Sequence, residues 1–104
     1  MAEFQPNWSD QDTDRLVEAM LALTNADEAY RFLDDICTIS EVKALAQRLQ
    51  VAIMLDQNET YTHIAGVTGA STATISRVKR CLQYGAGGYK AILPRLTRVE
   101  EDNA

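Results

Sequence analysis

The sequence predicts an all-α protein, and two observations lead to this prediction. Proline occurs only at Pro6 and Pro94 and no glycine precedes Gly66, so the first 60 residues lack the turn signals of a multi-strand domain. Apolar residues recur there at helical spacing instead. A hydrophobic fraction of 46% and a charged fraction of 24% are typical of a folded globular chain, and 104 residues suffice for a single domain over residues 1–104.

The first half of the chain contains three predicted helices. Ser9 is the expected N-cap of the first, because three aspartates follow it at the positive end of the helix dipole. Asn25 ends that helix and caps the second. Thr38 and Glu41 match a capping box, in which a hydroxyl and a carboxylate satisfy free backbone N–H groups. They open the longest helix, which should run to about Leu55.

These three helices have more apolar surface than a single chain of this length can readily bury. We therefore expect a homodimer in which the acidic N-terminal helices, about residues 9–57, pack against a second copy. A compact monomeric bundle is the alternative.

The charges are segregated along the chain, although a net charge of −5 taken alone argues against a nucleic-acid partner. Residues 1–59 hold twelve acidic and four basic residues, whereas residues 60–99 hold six basic residues and no acidic one. Either the acidic part docks on the basic part within one monomer, or the basic part meets an anionic partner. Charge alone does not decide between these interpretations.

The stretch from residue 60 to residue 84 has the pattern of a helix-turn-helix. Thr60 caps a short helix, and Gly69 follows where a sharp turn needs a positive φ. Ser71 or Thr72 caps the next helix, whose inward-facing residues are Ile75, Val78 and Leu82.

The opposite face of that second helix is small, polar and basic, as a helix that enters a DNA major groove requires. Short side chains near its start let the backbone approach base edges, and cations further along meet phosphates. The DNA-binding residues that this pattern predicts in the second helix and its cap are Ser71, Thr72, Ala73, Thr74, Ser76, Arg77, Lys79 and Arg80. An ordinary solvent-exposed helix is the alternative, but Ser and Thr are poor choices for one.

Two segments, CTISEVKALAQRLQVAIML and ETYTHIAGVTGASTATISRVKRCLQYGAGGY, closely resemble the Trp repressor family and, within it, the YerC/YecD-like branch. The resemblance covers roughly residues 27–89. It implies a six-helix, TrpR-like fold, an intertwined homodimer, and paired helix-turn-helix heads on a palindromic operator. It also assigns the turn and the start of the recognition helix to residues 69–74, and the phosphate-contacting end of the first helix to Tyr61 and Thr62.

In tryptophan-responsive members of that family the corepressor lies between two arginines, and the resemblance places their counterparts at Arg48 and Arg77. Thr38 matches a further pocket position. The sequence departs from the pattern at Val78, where those members have a glycine that leaves room for the indole ring. Overfilling a packed site costs about 1 to 3 kcal/mol, so we do not expect tryptophan to be the effector.

The remaining features indicate no catalysis and no cofactor. No nucleophile, base and orienting group occur together at workable spacing, which argues against an enzyme. Cys37 and Cys81 are expected to be buried free thiols, and with one histidine they do not provide a metal site. We expect a cytoplasmic, nucleoid-associated regulator, a repressor by its resemblance. A helical adaptor dimer without autonomous DNA recognition is the alternative.

Overall fold

A computed structural model describes the backbone of residues 3–103 and the side chains of residues 3–96. Its regular structure consists of six helices, and no strand occurs in the described residues. The helices are α1 (Gln11–Ala22), α2 (Ala26–Ile36), α3 (Ile39–Asp56), α4 (Tyr61–Thr68), α5 (Thr72–Tyr84) and α6 (Gly88–Asn103). The all-α prediction is confirmed. The chain divides into two compact units, Met1–Thr38 and Ile39–Ala104.

The first unit holds α1 and α2, and local hydrogen bonds fix their ends. The prediction that Ser9 caps α1 is wrong, because Asp10 is the N-cap and forms a capping box with Thr13. The Asp10 carboxylate accepts from the Thr13 N–H at 2.8 Å, and the Thr13 hydroxyl oxygen accepts from the Asp10 N–H at 2.8 Å. Asn25 caps α2 as predicted. No described residue of this unit is buried.

The second unit holds α3 to α6 around one apolar core. In it, α3 packs against α4 and α5, and α5 packs against α4 and α6. The core residues are Val51, Ala52, Met54, Ile64, Ala70, Ile75, Val78 and Leu93. The helix-turn-helix elements therefore share their core with the C-terminal half of α3.

Pro94 lies within the single helix α6. The neighbouring Leu93 is only 5% exposed, and we attribute the continuous helix to the burial of this side chain, which offsets one lost hydrogen bond. The prediction that both cysteines are buried is wrong: both are free thiols, but Cys81 is exposed and Cys37, which lies in the first unit, is half-buried. Cys81 lies outside the core because Val78 and Leu82 occupy the inner side of α5.

No helix in the described part of the chain is long and apolar enough to cross a membrane.

Candidate nucleic-acid interface

The turn between α4 and α5 has the geometry that the sequence predicts. Thr60 caps α4 by accepting from the His63 N–H, and α4 ends at Gly69, whose φ of 73° is left-handed. The Gly69 N–H donates to the Ala65 carbonyl at 2.9 Å, and nothing lies within 4 Å of the position a Cβ would take there. Glycine is therefore required by the backbone conformation, not by crowding. Ala70, next in the chain, is 5% exposed and packs into the core.

Thr68 and Gln47 hold this turn in place. The Thr68 hydroxyl donates to the Ile64 carbonyl at 2.7 Å and its oxygen accepts from the Ala70 N–H at 3.1 Å. The Gln47 side-chain amide, on α3, donates to the Thr68 carbonyl at 3.1 Å. Sequence reasoning missed Gln47, because α3 contains several other polar residues and nothing in the sequence distinguishes Gln47 from them. This bond ties α3 directly to the last turn of α4.

Ser71 starts α5 by accepting from the Thr74 N–H at 3.1 Å. Its hydroxyl also donates to the Thr74 hydroxyl oxygen at 3.1 Å. Thr74 is half-buried, whereas Thr72 and Ala73 are exposed. The hydroxyls of Ser71 and Thr74 are thus engaged with each other at the helix start.

The outer face of α5 is exposed over its whole length. Ile75 and Val78 are 1% and 2% exposed on the inner side, as predicted. The exposed residues of α5 that the sequence predicts to contact DNA are Thr72, Ala73, Ser76, Arg77, Lys79 and Arg80. This face combines short side chains at its N-terminal end with cations further along.

No acidic side chain neutralises that face among the described residues. The ion pairs found in the described side chains are Arg31 with Asp27 and His63 with Glu59, so neither involves α5. Because residues 60–99 contain no Asp or Glu, the basic groups of α5 also lack acidic neighbours in sequence. Within the described residues, the cations of α5 therefore form no ion pair with an acidic side chain.

The N-terminal end of α4 lies beside this basic face. Thr62 is exposed, whereas Tyr61 is half-buried and packs against the core. The Lys79 Nζ lies 5.6 Å from the centroid of the Tyr61 ring, which is a cation–π distance. The Nε2 of His63, in the first turn of α4, lies 3.7 Å from a Glu59 carboxylate oxygen.

A cavity of about 220 Å³ lies between α3, α5 and the start of α6. Its lining residues are Arg48, Thr74, Arg77, Val78, Cys81 and Tyr89. The structure thus brings together Arg48 and Arg77, two of the three predicted pocket residues. Thr38, the third, is the last residue of the first unit, and its role stays a prediction.

Tyr89 and Cys81 are cavity residues that sequence reasoning did not assign. Burial raises the pKa of the Tyr89 phenol above its usual value, and the nearby Cys81 adds to this effect, while the positive charges of Arg48 and Arg77 oppose it. The Tyr89 hydroxyl is therefore protonated at neutral pH. The described residues contain no group of three His, Cys, Asp or Glu side chains that could hold a metal ion.

Comparisons with known proteins agree with this geometry. The family model of the Trp repressor protein matches residues 11–97. The chain is 50% identical over 94 residues to the uncharacterised protein YerC of Bacillus subtilis (strain 168), and 90% of each chain is covered. A crystal structure of a candidate Trp repressor from Staphylococcus aureus matches with a TM-score of 0.81 and 50% identity, covering 86% of this chain and 89% of that one. A TrpR-like protein from Eubacterium eligens ATCC 27750 matches with a TM-score of 0.81 and 51% identity, covering 85% and 91%.

Proposed function

Because the chain belongs to the Trp repressor family, we propose that it is a sequence-specific DNA-binding regulator of transcription. We further propose that it is a repressor and that it acts without tryptophan. One observation carries the proposal: α5 follows a tight turn and presents an exposed face of short side chains and of cations that pair with no acidic side chain in the described part of the chain. Such a face fits the major groove, where base edges and phosphates are both within reach. The regulator would work in the cytoplasm, associated with the nucleoid when bound to DNA.

Two groups of residues share the proposed binding. Thr72, Ala73 and Ser76 are exposed and short enough to reach base edges. The phosphate contacts come from Arg77, Lys79, Arg80, Tyr61 and Thr62. Ser71 and Thr74 contribute by fixing the first turn of α5 against the DNA, since their hydroxyls already bond to each other.

We propose that the protein binds a palindromic operator as an intertwined homodimer. The proposal is supported by the apolar side chains of the first unit, all exposed in the single chain: Phe4, Trp8, Leu16, Val17, Met20, Leu21, Tyr30, Leu33 and Ile36. An exposed apolar surface of this kind marks a protein–protein contact. The two heads of such a dimer would meet successive major grooves about 34 Å apart.

The cavity beside α5 is the proposed pocket for any effector, with Arg48 and Arg77 as its charged residues. Val78 lines this cavity while its side chain is almost fully buried in the core. It occupies space that an indole ring would need and is held there by packing. Isothermal titration calorimetry with tryptophan should therefore give no heat of binding, and a clear micromolar affinity would contradict this part of the proposal.

The decisive experiment is selection of bound sequences from a randomised duplex library by the purified protein, without added ligand. Enrichment of an inverted repeat is the expected result. Affinity for the enriched duplex should fall steeply with salt, and Arg80→Ala should weaken binding and lower the salt slope by about 1. Arg31→Ala is the matched control, because Arg31 is an exposed arginine of α2 paired with Asp27.

Two outcomes would contradict the proposal. Failure to enrich any sequence, together with equal DNA affinities of the Arg80→Ala and Arg31→Ala variants, would favour the adaptor dimer. A salt-independent association would exclude phosphate contacts as the source of affinity.

A further inference from the structure

We propose that Tyr61 is a positioning residue whose ring holds the Lys79 ammonium group at the DNA-facing surface. The inference rests on the proposed DNA binding. It adds a positioning role for Tyr61 that is not evident from the identity of Tyr61 or of Lys79 alone. The observation behind it is the 5.6 Å distance from the Lys79 Nζ to the ring centroid of Tyr61. At this distance the negative face of the ring attracts the cation.

The ring is the fixed member of the pair. Tyr61 is the first residue of α4, directly after the capping Thr60, and its side chain is half-buried against the core. Lys79 is exposed near the middle of α5 and has a flexible four-carbon stem. The contact therefore restricts the lysine, and it joins the start of α4 to α5.

The ammonium group stays available for a phosphate. An ammonium has three N–H donors, and a ring beneath it leaves donors that point away from the ring. Lys79 forms no ion pair with an acidic side chain among the described residues. Tyr61 thus positions the charge of Lys79 without neutralising it. An acidic side chain at the same place would neutralise this charge.

This positioning lowers the entropy that Lys79 loses when it binds a phosphate. A long side chain that is already restrained gives up less rotamer freedom on binding. Replacing the ring with an aliphatic side chain should therefore weaken DNA binding about threefold to tenfold. The phenolic hydroxyl is not needed for this effect.

The test compares Tyr61→Phe with Tyr61→Leu on a mixed-sequence DNA duplex at low salt and on the selected operator. Both variants lack the phenolic hydroxyl and its proposed phosphate contact, but Phe keeps the aromatic face, so Leu should bind DNA about threefold to tenfold more weakly than Phe. In a Lys79→Met background this difference between the Phe and Leu variants should disappear. Equal affinity of the Phe and Leu variants, or an equal loss with and without Lys79, would overturn the inference.

An independent measurement needs no DNA. The ring current of Tyr61 should shift the ε-methylene protons of Lys79 upfield in the NMR spectrum of the wild type and of Tyr61→Phe, but not of Tyr61→Leu. Absence of the shift in the wild type would overturn the inference. Tighter DNA binding by Tyr61→Leu would also overturn it, because the ring would then be withholding the lysine.

Substitutions at Lys79 avoid any change in the core, because this side chain is exposed. Lys79→Arg keeps a cation that stacks on the ring and should retain affinity, whereas Lys79→Met should lose it and lower the salt slope by about 1. Equal affinity of these two variants would overturn the inference. If the wild type itself fails to bind DNA at any salt concentration, the proposed function fails; if it binds and only the Tyr61 comparison fails, the positioning role alone is lost.

Discussion

The two compact units of this chain are stabilised in different ways. The first, Met1–Thr38, contains nine acidic and two basic residues, and none of its described residues is buried. The second, Ile39–Ala104, contains eight basic and six acidic residues and all of the buried core. Short-range hydrogen bonds determine where helices begin in the first unit, whereas packing between helices holds the second together. Helical structure can thus be specified locally in a segment that has no core of its own.

This contrast predicts that core truncation in the second unit has the largest effect on stability. Ile64 is fully buried, so Ile64→Ala should lower the free energy of unfolding by about 2 to 5 kcal/mol. Urea denaturation followed by circular dichroism would measure the loss. Val67→Ala is the matched control on the same helix, because Val67 is 58% exposed and its truncation should cost far less. Equal losses would show that α4 is not packed as described.

A change in the first unit should act through dimerisation. Met20 is 57% exposed in the single chain, and in the proposed dimer a carboxylate there would be buried without a partner. Met20→Asp should therefore weaken the dimer by about 1 to 3 kcal/mol, measured by sedimentation equilibrium. The melting temperature of the wild type should rise with protein concentration.

Glu18→Ala, an exposed position on the same helix, is the control and should leave the dimer intact. A wild type that sediments as a monomer at every concentration would contradict the dimer and leave the apolar side chains of α1 and α2 unexplained.

Two glycines of the second unit should respond in opposite directions to the same substitution. Gly69 has a φ of 73°, so Gly69→Ala should cost about 1 kcal/mol from backbone strain. Gly66 lies within α4 with open space around it, so Gly66→Ala should stabilise the protein by about 0.5 to 1 kcal/mol. Thermal unfolding of both variants would measure the difference. A stabilising Gly69→Ala would show that the turn does not need the left-handed conformation.

Acid and alkali should weaken the two units separately, with the smallest effects of this series. Hydrogen bonds from Thr13 lower the pKa of Asp10 below 3.8, and those from Thr24 lower the pKa of Glu28 below 4.5. Their stabilisation is complete above these unfolded-state values and is lost as the pH falls through the lower folded-state values. Carboxyl chemical shifts across an acid titration would measure this, and Asp10→Asn, which caps without titrating, should remove the Asp10 contribution.

At alkaline pH, the expected loss of folding stability arises in the second unit. Burial raises the pKa of Tyr89 above 10.0, so the neutral phenol stabilises the folded state fully below pH 10. That contribution is lost as the pH rises through the higher folded-state value. Ultraviolet absorbance of the phenolate should show a component that titrates late, and Tyr89→Phe should remove it. A titration curve whose alkaline end is unchanged by Tyr89→Phe would contradict the burial of Tyr89.

Much of the fold could be predicted from the sequence because its helix ends carry local signals. Asn25, Thr60 and Ser71 act as N-caps through their own side chains, and Gly69 takes the left-handed conformation that its place in the pattern requires. The incorrect prediction that Ser9 caps α1 also arises from local signals. Ser9 and Asp10 are adjacent and both suit an N-cap, and the choice of Asp10 depends on the hydroxyl of Thr13.

The candidate site was less predictable because its features depend on contacts between helices. Ser76, Arg77 and Arg80 were placed on the exposed face by helical periodicity alone, and the structure agrees. The bond from Gln47 to Thr68 and the contact of Lys79 with Tyr61 join residues 21 and 18 positions apart, which no periodicity reveals. The exposure of Cys81 and the continuity of α6 through Pro94 likewise follow from packing.

The outward face of α5 has an evolutionary consequence. Thr72, Ala73 and Ser76 are exposed, and none of them caps a helix or packs into the core. Substitutions at such surface positions usually change stability by no more than about 0.5 kcal/mol. Under the proposed function, operator preference can therefore diverge between related proteins by single mutations at these positions, while the scaffold that presents them is inherited unchanged.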